Sequence, residues 1–376
     1  MSTERVVDTI RDTTAARTGL RISGRGSWLD AGRPVRAEKT LSLRDDHGVV
    51  SYVPGDLTLT VRAGTTLAEI GDVTKARDQW LPLDPYGSAD GTIGATMATA
   101  STGPLATNFG LPRDLLLGVE FVNGRGEAIR AGGKVVKNVA GFDLSRLITG
   151  SWGTLGVVTE LTVRLYARPQ VDRTFSIALA GTAKETSAFL RAFLTAPFSP
   201  YAFELLSISA AHALDLGKQA VCLVRFGGNR ASVEAQVKTL SQLARVEETD
   251  ARKWQDLRAL ERGSGCVIRV SGLPAQFRAA SGTILGDYHS GFFTYINPIR
   301  GLLRIVARPS ETDALGEESE LGLTADRPPS ESVVYETLPP EAWPELSPSV
   351  ISDPLSRGIK NAYDPQNILN PGILGE

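Results

Sequence analysis

Residues of the kinds that hold metal ions and metal clusters are scarce in this sequence. Its 376 residues include only two cysteines, Cys222 and Cys266, and three histidines. An iron–sulfur cluster needs about four thiolates, and a disulfide framework also needs more cysteines than this. The histidines, at positions 47, 212 and 289, do not show the spacing of a metal site. Both cysteines lie in apolar runs, so we expect reduced thiols packed in core strands.

The sequence also lacks a dominant charge and any long apolar run. With 40 basic and 42 acidic residues, the formal net charge of −2 gives no electrostatic basis for binding nucleic acid or an anionic membrane. No apolar run approaches the roughly 18 residues needed to cross a bilayer, and residues 1–20 contain no apolar core of a signal peptide. We therefore expect a cytoplasmic protein.

The length and the pattern of apolar residues indicate two domains, because 376 residues exceed one ordinary hydrophobic core. In the first half, the alternation of apolar and polar residues over 57–62 predicts a half-buried strand. Thr66 and Glu69 have the spacing of a capping box, which predicts a helix from there to about Trp80. Further strands are predicted at 115–122, 127–131 and 155–166.

The second half has a different pattern of predicted elements, in which strands alternate with longer helices. It predicts an antiparallel sheet built from two βαβ-like halves with the helices on one side, so the fold class is α+β. We expect a first domain at 1–170, a second at 171–352, and a C-terminal helix and tail at 353–376. The predicted strands are 174–180, 219–226, 265–271, 291–296, 302–307 and 332–337, and the predicted helices are 184–195, 230–245, 254–261 and 274–285.

Three segments of the first half have more glycines than turns alone require. They are ISGRGS at 22–27, PYGSADGTIGAT at 85–96 with the small residues that follow it, and GSWGTLGVV at 150–158. Backbone amides without bulky side chains can surround an anion such as a pyrophosphate. One such loop is more often a simple turn, but three in one half of the chain indicate a binding site. Trp28, Trp80 and Trp152 lie near these loops, where they either stack on the ligand or pack the loops.

Longer strings of residues carry a specific resemblance. DGTIGATMATASTGPLATNFGLPRDLLLGVEFVNGRGE, followed by KVVKNVAGFDLSRLITGSWGTLGVVTELTVRL, resembles the FAD-binding domain of the vanillyl-alcohol oxidase (PCMH-type) superfamily. The C-terminal AYDPQNILNPGIL is similar to the closing DP-x-x-ILNPG motif of that family. Within the superfamily, the sequence most resembles the glycolate oxidase FAD-binding subunits. The resemblance covers residues 5–168 and 355–374 well. The residues between these two ranges match the family only in the order of their predicted elements and in length.

The resemblance implies a PCMH-type FAD-binding domain of two α+β subdomains, followed by a ferredoxin-like α+β cap domain, with the C-terminal segment returning to the FAD domain. Many relatives carry a histidine after the first glycine loop that bonds covalently to the flavin. Ser27 and Trp28 follow that loop here, so we expect non-covalent FAD. The cofactor-binding residues that the resemblance implies are Gly24, Arg25, Gly26, Ser27, Gly91, Thr92, Ile93, Gly94, Ser101, Thr102, Gly103, Gly150, Ser151, Gly153, Thr154, Gly156, Val157 and Asn370.

The implied reaction, oxidation of a 2-hydroxy acid, needs a hydride acceptor, a base and a cation for the carboxylate, and flavin N5 is the acceptor. The catalytic candidates are His289 as the base, with Arg308 and Tyr335. Arg300, Arg304 and Arg308 lie on or beside one strand pair, where solvated arginines at a sheet edge are the ordinary alternative. A lone histidine is likewise more often structural than catalytic.

Related lactate dehydrogenases have paired histidines and a glutamate in the substrate pocket, and this sequence does not match that cluster. The resemblance therefore implies partners, namely a larger flavin subunit and an iron–sulfur subunit of a glycolate oxidase-type complex. A cytoplasmic chain of this kind would reach the inner membrane only through those subunits. Two alternatives stay open: a stand-alone FAD-dependent oxidoreductase of a hydroxy acid or polyol, and a non-catalytic FAD-binding assembly subunit.

Overall fold

The computed structural model describes residues 3–87, 89–133, 143–179, 182–261, 263–286, 292–307, 332–346, 351 and 353–375. The contacts within the chain divide it into two units. The first unit contains Met1–Thr102, Phe109–Arg168 and Pro340–Glu376, and the second contains Gly103–Asn108 and Pro169–Pro339. Each unit has a sheet of its own.

The first unit is built on a five-stranded sheet with the strand order β3-β4-β8-β6-β7, in which all neighbours are antiparallel. Two small sheets accompany it, the parallel pair β1-β2 and the antiparallel pair β5-β9. The elements up to residue 167 are α1 (Thr3–Ala16), β1 (Leu20–Ser23), β2 (Lys39–Ser42), β3 (Val49–Val53), β4 (Thr58–Arg62), α2 (Leu67–Lys75), β5 (Gln79–Trp80), α3 (Ile93–Thr99), α4 (Ala106–Phe109), α5 (Pro112–Leu115), β6 (Leu116–Val122), β7 (Ala128–Gly132), α6 (Leu144–Ile148), β8 (Val157–Arg164) and β9 (Tyr166–Ala167).

The predicted capping box is confirmed, and the predicted end of its helix is wrong. The Thr66 hydroxyl accepts a hydrogen bond from the Glu69 amide at 3.0 Å, and the Glu69 carboxylate accepts one from the Thr66 amide at 2.7 Å. The helix that begins there, α2, ends at Lys75 rather than near Trp80. Asp78 has a left-handed backbone with φ 49°, which turns the chain into the short strand β5.

The second unit is built on an eight-stranded sheet with the order β13-β10-β12-β11-β15-β16-β14-β17, antiparallel throughout. The predicted strands and helices of this half are confirmed, with their ends shifted by a few residues. The elements from residue 171 on are β10 (Val171–Leu179), α7 (Ala183–Thr195), β11 (Ala202–Leu206), α8 (Ile208–Ala213), β12 (Ala220–Gly228), α9 (Arg230–Leu243), β13 (Glu247–Thr249), α10 (Lys253–Ala259), β14 (Cys266–Ser271), α11 (Pro274–Gly286), β15 (Phe292–Asn297), β16 (Leu302–Ala307), β17 (Ser332–Thr337), α12 (Trp343–Leu346) and α13 (Pro354–Tyr363).

The helices of the second unit do not all lie on one side of its sheet, which corrects the prediction. Phe193 of α7 packs on Phe203, with ring centroids 4.6 Å apart. Phe203 shares a face with Phe175, because both are registered with the same residue of β12. In contrast, Trp254 of α10 donates to the hydroxyl of Thr174 at 3.0 Å. Thr174 and Phe175 are consecutive in β10, and consecutive strand residues point to opposite faces of the sheet. The helix α10, which contacts Thr174, therefore lies on the face opposite to α7.

Both cysteines are buried in strands of the second unit and neither forms a disulfide, as the sequence predicts. Burial raises the pKa of the Cys266 thiol to about 12, so the thiol stays protonated. Over the part of the chain that the structure describes, no helix has both the length and the apolar character needed to cross a membrane.

Candidate FAD site

The three glycine-rich segments lie together around one groove of the first unit. The lining contains residues of the loop after β1, of α3, and of the loop before β8. The groove has about 910 Å³ of empty space, including the part that is open to solvent. All three segments contribute residues to this lining, so a ligand in the groove would meet the backbone of each of them.

The first segment is held close to the start of α3. A Cβ atom on Gly24 would lie 2.3 Å from the Thr92 hydroxyl oxygen, so this close approach requires a glycine. On the other side, the loop is bonded to β2 and the residues after it. The Ser42 hydroxyl donates to the Gly24 carbonyl at 3.2 Å, and the Arg44 guanidinium donates to the Arg25 carbonyl at 2.9 Å.

The second segment begins α3 and packs it on the main sheet. Thr92 is the N-cap, and its hydroxyl accepts a hydrogen bond from the Ala95 amide at 3.3 Å. The Gly94 amide donates to the Ala63 carbonyl at 2.9 Å. A Cβ atom on Gly94 would lie 2.8 Å from that same carbonyl oxygen, so the helix could not approach the sheet as closely with a larger residue.

The third segment is bonded to the C-terminal end of α3. The Gly150 amide donates to the Met97 carbonyl at 2.9 Å, and the Trp152 amide donates to the Ala98 carbonyl at 2.7 Å. These bonds satisfy carbonyls that the end of a helix leaves without partners. Trp152 has a left-handed backbone with φ 54°, and its ring lies 6.0 Å from that of Trp28. Both tryptophans line the groove.

Asn370 links the first segment to the third. Its side-chain oxygen accepts a hydrogen bond from the Ile22 amide at 2.8 Å. Its side-chain nitrogen donates to the Trp152 carbonyl at 2.7 Å. The asparagine also lines the groove, so the C-terminal segment contributes directly to the shape of the site.

The residues of this region fit FAD in charge and in hydrogen-bonding capacity. Among the described residues that line the groove there are two arginines, Arg21 and Arg25, and no aspartate or glutamate. This charge suits the pyrophosphate of a dinucleotide. At the C-terminal end of α3, the hydroxyl oxygens of Ser101 and Ser151 are buried and have no partner among the described residues. Buried hydroxyls normally have a partner, and a polar ligand would supply one.

The structure brings half of the sequence-predicted cofactor residues into the lining of the groove. Ile93 and Val157 are instead fully buried in the core of the first unit. Trp28, Ala63 and Ala98 line the groove without having been among the predicted contacts, and of these only the tryptophan gave a signal in the sequence. The predicted residues in the lining are Gly24, Arg25, Gly26, Ser27, Thr92, Gly94, Gly153, Gly156 and Asn370. Those outside it are Gly91, Ile93, Ser101, Thr102, Gly103, Gly150, Ser151, Thr154 and Val157.

Of the three catalytic candidates, the structure describes one. His289 and Arg308 lie outside the described residues. Tyr335 is half-buried on β17 and pairs with Ile268 of β14. The next residue of β14, Arg269, pairs with Arg304 of β16. Since consecutive strand residues alternate between the two faces, Tyr335 lies on the face of the sheet opposite to Arg304.

Arg304 is not a solvated arginine at a sheet edge, which corrects the ordinary interpretation of the sequence. It lies on β16, an inner strand, and is 4% exposed. Its guanidinium donates to Glu261 at 2.6 and 2.8 Å and to Glu336 at 2.5 and 3.3 Å. Arg269 donates to Glu336 at 2.9 Å, and the Tyr295 hydroxyl donates to Glu261 at 2.7 Å.

The two carboxylates of this cluster have opposite pKa shifts. Burial raises the pKa of Glu261 above its usual value, although Arg304 acts against this. Glu336 is buried as well, but it faces both Arg304 and Arg269, and the two cations together hold its pKa below the usual value. The four charges therefore balance inside the unit, where an unpaired charge would be costly.

Comparison with known proteins gives the family. A family model described as "FAD binding domain" matches residues 1–132. The chain is 33% identical over 255 residues to the glycolate oxidase subunit GlcE of Escherichia coli, covering 67% of this chain and 67% of that protein. It is 26% identical over 395 residues to the glycolate oxidase subunit GlcD of Bacillus subtilis, covering 93% and 82%. It is also 27% identical over 421 residues to a D-2-hydroxyglutarate dehydrogenase of Xanthomonas citri, covering 100% and 88%.

Solved structures agree on the fold. The chain matches p-cresol methylhydroxylase with a TM-score of 0.73 at 16% identity, covering 100% of this chain and 87% of that one. It matches 4-ethylphenol oxidase from Gulosibacter chungangensis with a TM-score of 0.71 at 15% identity, covering 100% and 88%. The chain thus belongs to the PCMH-type family of FAD-dependent oxidoreductases that includes the glycolate oxidase subunits.

Proposed function

We propose that this chain is the FAD-binding subunit of a complex that oxidises a small 2-hydroxy acid, of the glycolate oxidase type. The observation that carries the proposal is the groove, where three glycine-rich segments and Asn370 meet around a space without acidic residues in its described lining. The relatives support the substrate class, since their names include glycolate oxidase subunits and a D-2-hydroxyglutarate dehydrogenase.

In this proposal, the loop Gly24–Ser27 surrounds the pyrophosphate of FAD, with Arg21 and Arg25 supplying positive charge. The segments at the two ends of α3 hold the rest of the cofactor, and the buried hydroxyls of Ser101 and Ser151 find their partners there. FAD is held without a covalent bond, since Ser27 and Trp28 follow the first glycines. When bound, FAD supplies the acceptor for the hydride that leaves the α-carbon of the substrate.

The substrate side of the reaction needs a base for the hydroxyl proton and a cation for the carboxylate. We keep His289 as the base and Arg308 and Tyr335 as substrate-binding residues in the proposal. Arg304 is not a candidate for the carboxylate, because its guanidinium is already bonded to Glu261 and Glu336. The electrons then pass to a larger flavin subunit and an iron–sulfur subunit, which would also mediate any contact with the inner membrane.

A second candidate function, a non-catalytic FAD-binding assembly subunit, is favoured by the ion pairs that Glu336 forms with two arginines of the second unit. Arg269 and Arg304 are both engaged by Glu336, so neither guanidinium is open to a substrate carboxylate. The two candidates differ in whether this chain itself turns over a hydroxy acid.

The first experiment is a visible spectrum of the purified chain, taken before and after acid precipitation. We expect a flavin spectrum whose colour moves into the supernatant, as it does for non-covalent FAD. Gly24→Val is the matched variant, because its side chain would collide with Thr92, and it should purify folded but colourless. A colourless wild-type protein would contradict the proposal.

The second experiment measures reduction of a dye by glycolate and by D-lactate. Turnover by the chain alone would identify a stand-alone enzyme, and turnover only after the partner subunits are added would support the complex. A reconstituted complex whose rate is the same with wild type and with the colourless Gly24→Val subunit would favour the assembly role.

A further inference from the structure

A buried ion pair lies at the end of the C-terminal helix, outside the lining of the groove. Lys360 lies in the last turn of α13 and Asp364 is the C-cap residue that follows the helix, and the Lys360 Nζ atom lies 2.7 Å from the Asp364 Oδ2 atom. The Lys360 side chain is 6% exposed and that of Asp364 is 0% exposed. Removing two charges from water is costly, so a pair in this position needs further hydrogen bonds to persist.

Those further hydrogen bonds fix the backbone of two separate segments. The Asp364 carboxylate accepts bonds from the amides of Ile368 at 3.1 Å and Leu369 at 2.9 Å. The Lys360 ammonium donates to the Thr154 carbonyl at 3.1 Å. The ion pair therefore ties the C-terminal turn, residues 364–370, to the third glycine-rich segment.

The C-terminal turn in turn places Asn370. The Leu20 amide donates to the Ile368 carbonyl at 2.8 Å, and the Asn370 amide donates to the Leu20 carbonyl at 2.9 Å. Asn370 has a left-handed backbone with φ 45°, a conformation that asparagine tolerates better than most residues. From this position its side chain reaches both Ile22 and Trp152, the bridge between the first and third segments.

We propose that Lys360 and Asp364 are positioning residues of the FAD site: they hold the C-terminal turn so that Asn370 sets the spacing of the first and third glycine-rich segments. The proposal rests on the assignment of the groove to FAD. In this proposal Asn370 acts by holding the two loops and not by binding the cofactor itself, because both the oxygen and the nitrogen of its side-chain amide are bonded to the backbone of those loops. Loops held at the spacing that a ligand requires bind it more tightly, since no ordering cost is paid on binding.

The test uses the full-length protein and two variants that act at different points of this chain of contacts. Lys360→Met with Asp364→Asn removes both charges together, so no unpaired charge is left buried. Asn370→Gly removes the bridge while accepting the left-handed backbone, and it stays informative if the double variant does not fold. The control is Thr60→Val, which removes a buried hydroxyl pair with Thr162 between β4 and β8, 2.9 Å apart and outside the groove.

The measured quantities are the dissociation constant for FAD, by fluorescence titration of the flavin-free protein, and the thermal midpoint of the same flavin-free protein. We expect both variants to raise the dissociation constant by about tenfold or more, since small misplacements of binding groups have effects of that size. Thr60→Val should lower the midpoint and leave the dissociation constant unchanged.

A double variant that binds FAD as tightly as wild type would overturn the proposal. An equal weakening in Thr60→Val would also overturn it, because affinity would then follow the general stability of the unit. If the wild-type protein binds FAD and Gly24→Val does not, the groove assignment stands whatever these variants show. The failure of this inference can therefore be told apart from the failure of the proposed function.

Discussion

The Arg304 guanidinium and the Glu336 carboxylate meet near one edge of the eight-stranded sheet, although their strands, β16 and β17, are not neighbours. Their side chains reach over β14, and the Arg304 Nη2 atom lies 2.5 Å from the Glu336 Oε2 atom. Arg269, on the strand between them, donates to the same carboxylate. An ion pair that spans three strands holds their register as well as balancing charge.

Arg304→Met should therefore destabilise the protein strongly. Without the guanidinium, Glu261 loses its cation and Glu336 keeps only Arg269, so a buried carboxylate is left unpaired. Breaking a buried pair in this way costs about 3–5 kcal/mol. The measurement is urea unfolding at neutral pH. The matched control is Arg173→Met at an exposed pair with Glu248, where a change of about 0–1 kcal/mol is expected. Equal effects of the two substitutions would contradict the assignment of Arg304 to a buried network.

The two carboxylates of the cluster predict opposite dependences of stability on pH. Glu336 has a folded-state pKa below its ordinary value of 4.5, so it stabilises the protein above pH 4.5 and that contribution is lost as the pH falls. Glu261 has a folded-state pKa above 4.5, so its contribution is complete below pH 4.5 and is lost as the pH rises through the folded value.

The corresponding variants are Glu336→Gln and Glu261→Gln, each followed by urea unfolding from about pH 4 to pH 8. The deficit of Glu336→Gln relative to wild type should shrink toward the acid end of this range. Glu261→Gln should instead gain on wild type as the pH rises from the acid end. Curves for the two variants that run parallel to each other would show that the carboxylates do not differ in this way.

The local architecture could be predicted from the sequence wherever one short pattern decides it. The Thr66–Glu69 capping box and six of the eight strands of the second unit follow from short sequence patterns. The strand β11, Ala202–Leu206, was not predicted, because all five residues are buried and the run has no alternation to mark it. The end of α2 was misplaced because the left-handed turn at Asp78 has no sequence signal as strong as a glycine.

The groove could be predicted from glycines, but the interactions that shape it could not. Gly24 and Gly94 are conspicuous in the sequence, and the close contacts that require them involve Thr92 and Ala63. The pairing of Arg304 with Glu261 joins residues far apart in the chain, and no local pattern reports it. From the sequence alone, an arginine on such a strand is expected to be solvated, whereas the structure shows Arg304 to be buried.

Gly94→Ala should destabilise the first unit and weaken FAD binding. The added methyl group would lie 2.8 Å from the Ala63 carbonyl and force α3 away from the end of β4. Such overpacking costs about 1–3 kcal/mol. Gly71→Ala in α2 is the control, because nothing lies within 4 Å of its added methyl group. It should stabilise the helix by about 0.5–1 kcal/mol. Urea unfolding and FAD titration of both variants measure these effects, and a Gly94→Ala protein as stable as Gly71→Ala would contradict the close packing of α3.

Arg25→Ala should weaken FAD binding in a manner that depends on salt. Arg25 is exposed in the loop that we assign to the pyrophosphate, and no acidic residue occurs in the described lining of the groove. An exposed charge pair is screened by salt, with a Debye length of about 10 Å at 0.1 M and about 3 Å at 1 M. We therefore expect a weakening of up to about tenfold at low salt that diminishes at 1 M salt. Arg113→Ala, at an exposed arginine of α5 outside the groove, removes the same charge from the protein and should leave FAD affinity unchanged. If Arg113→Ala weakened binding as much as Arg25→Ala at low salt, the effect would come from the net charge of the protein, and the first loop would lose its assignment to the phosphates.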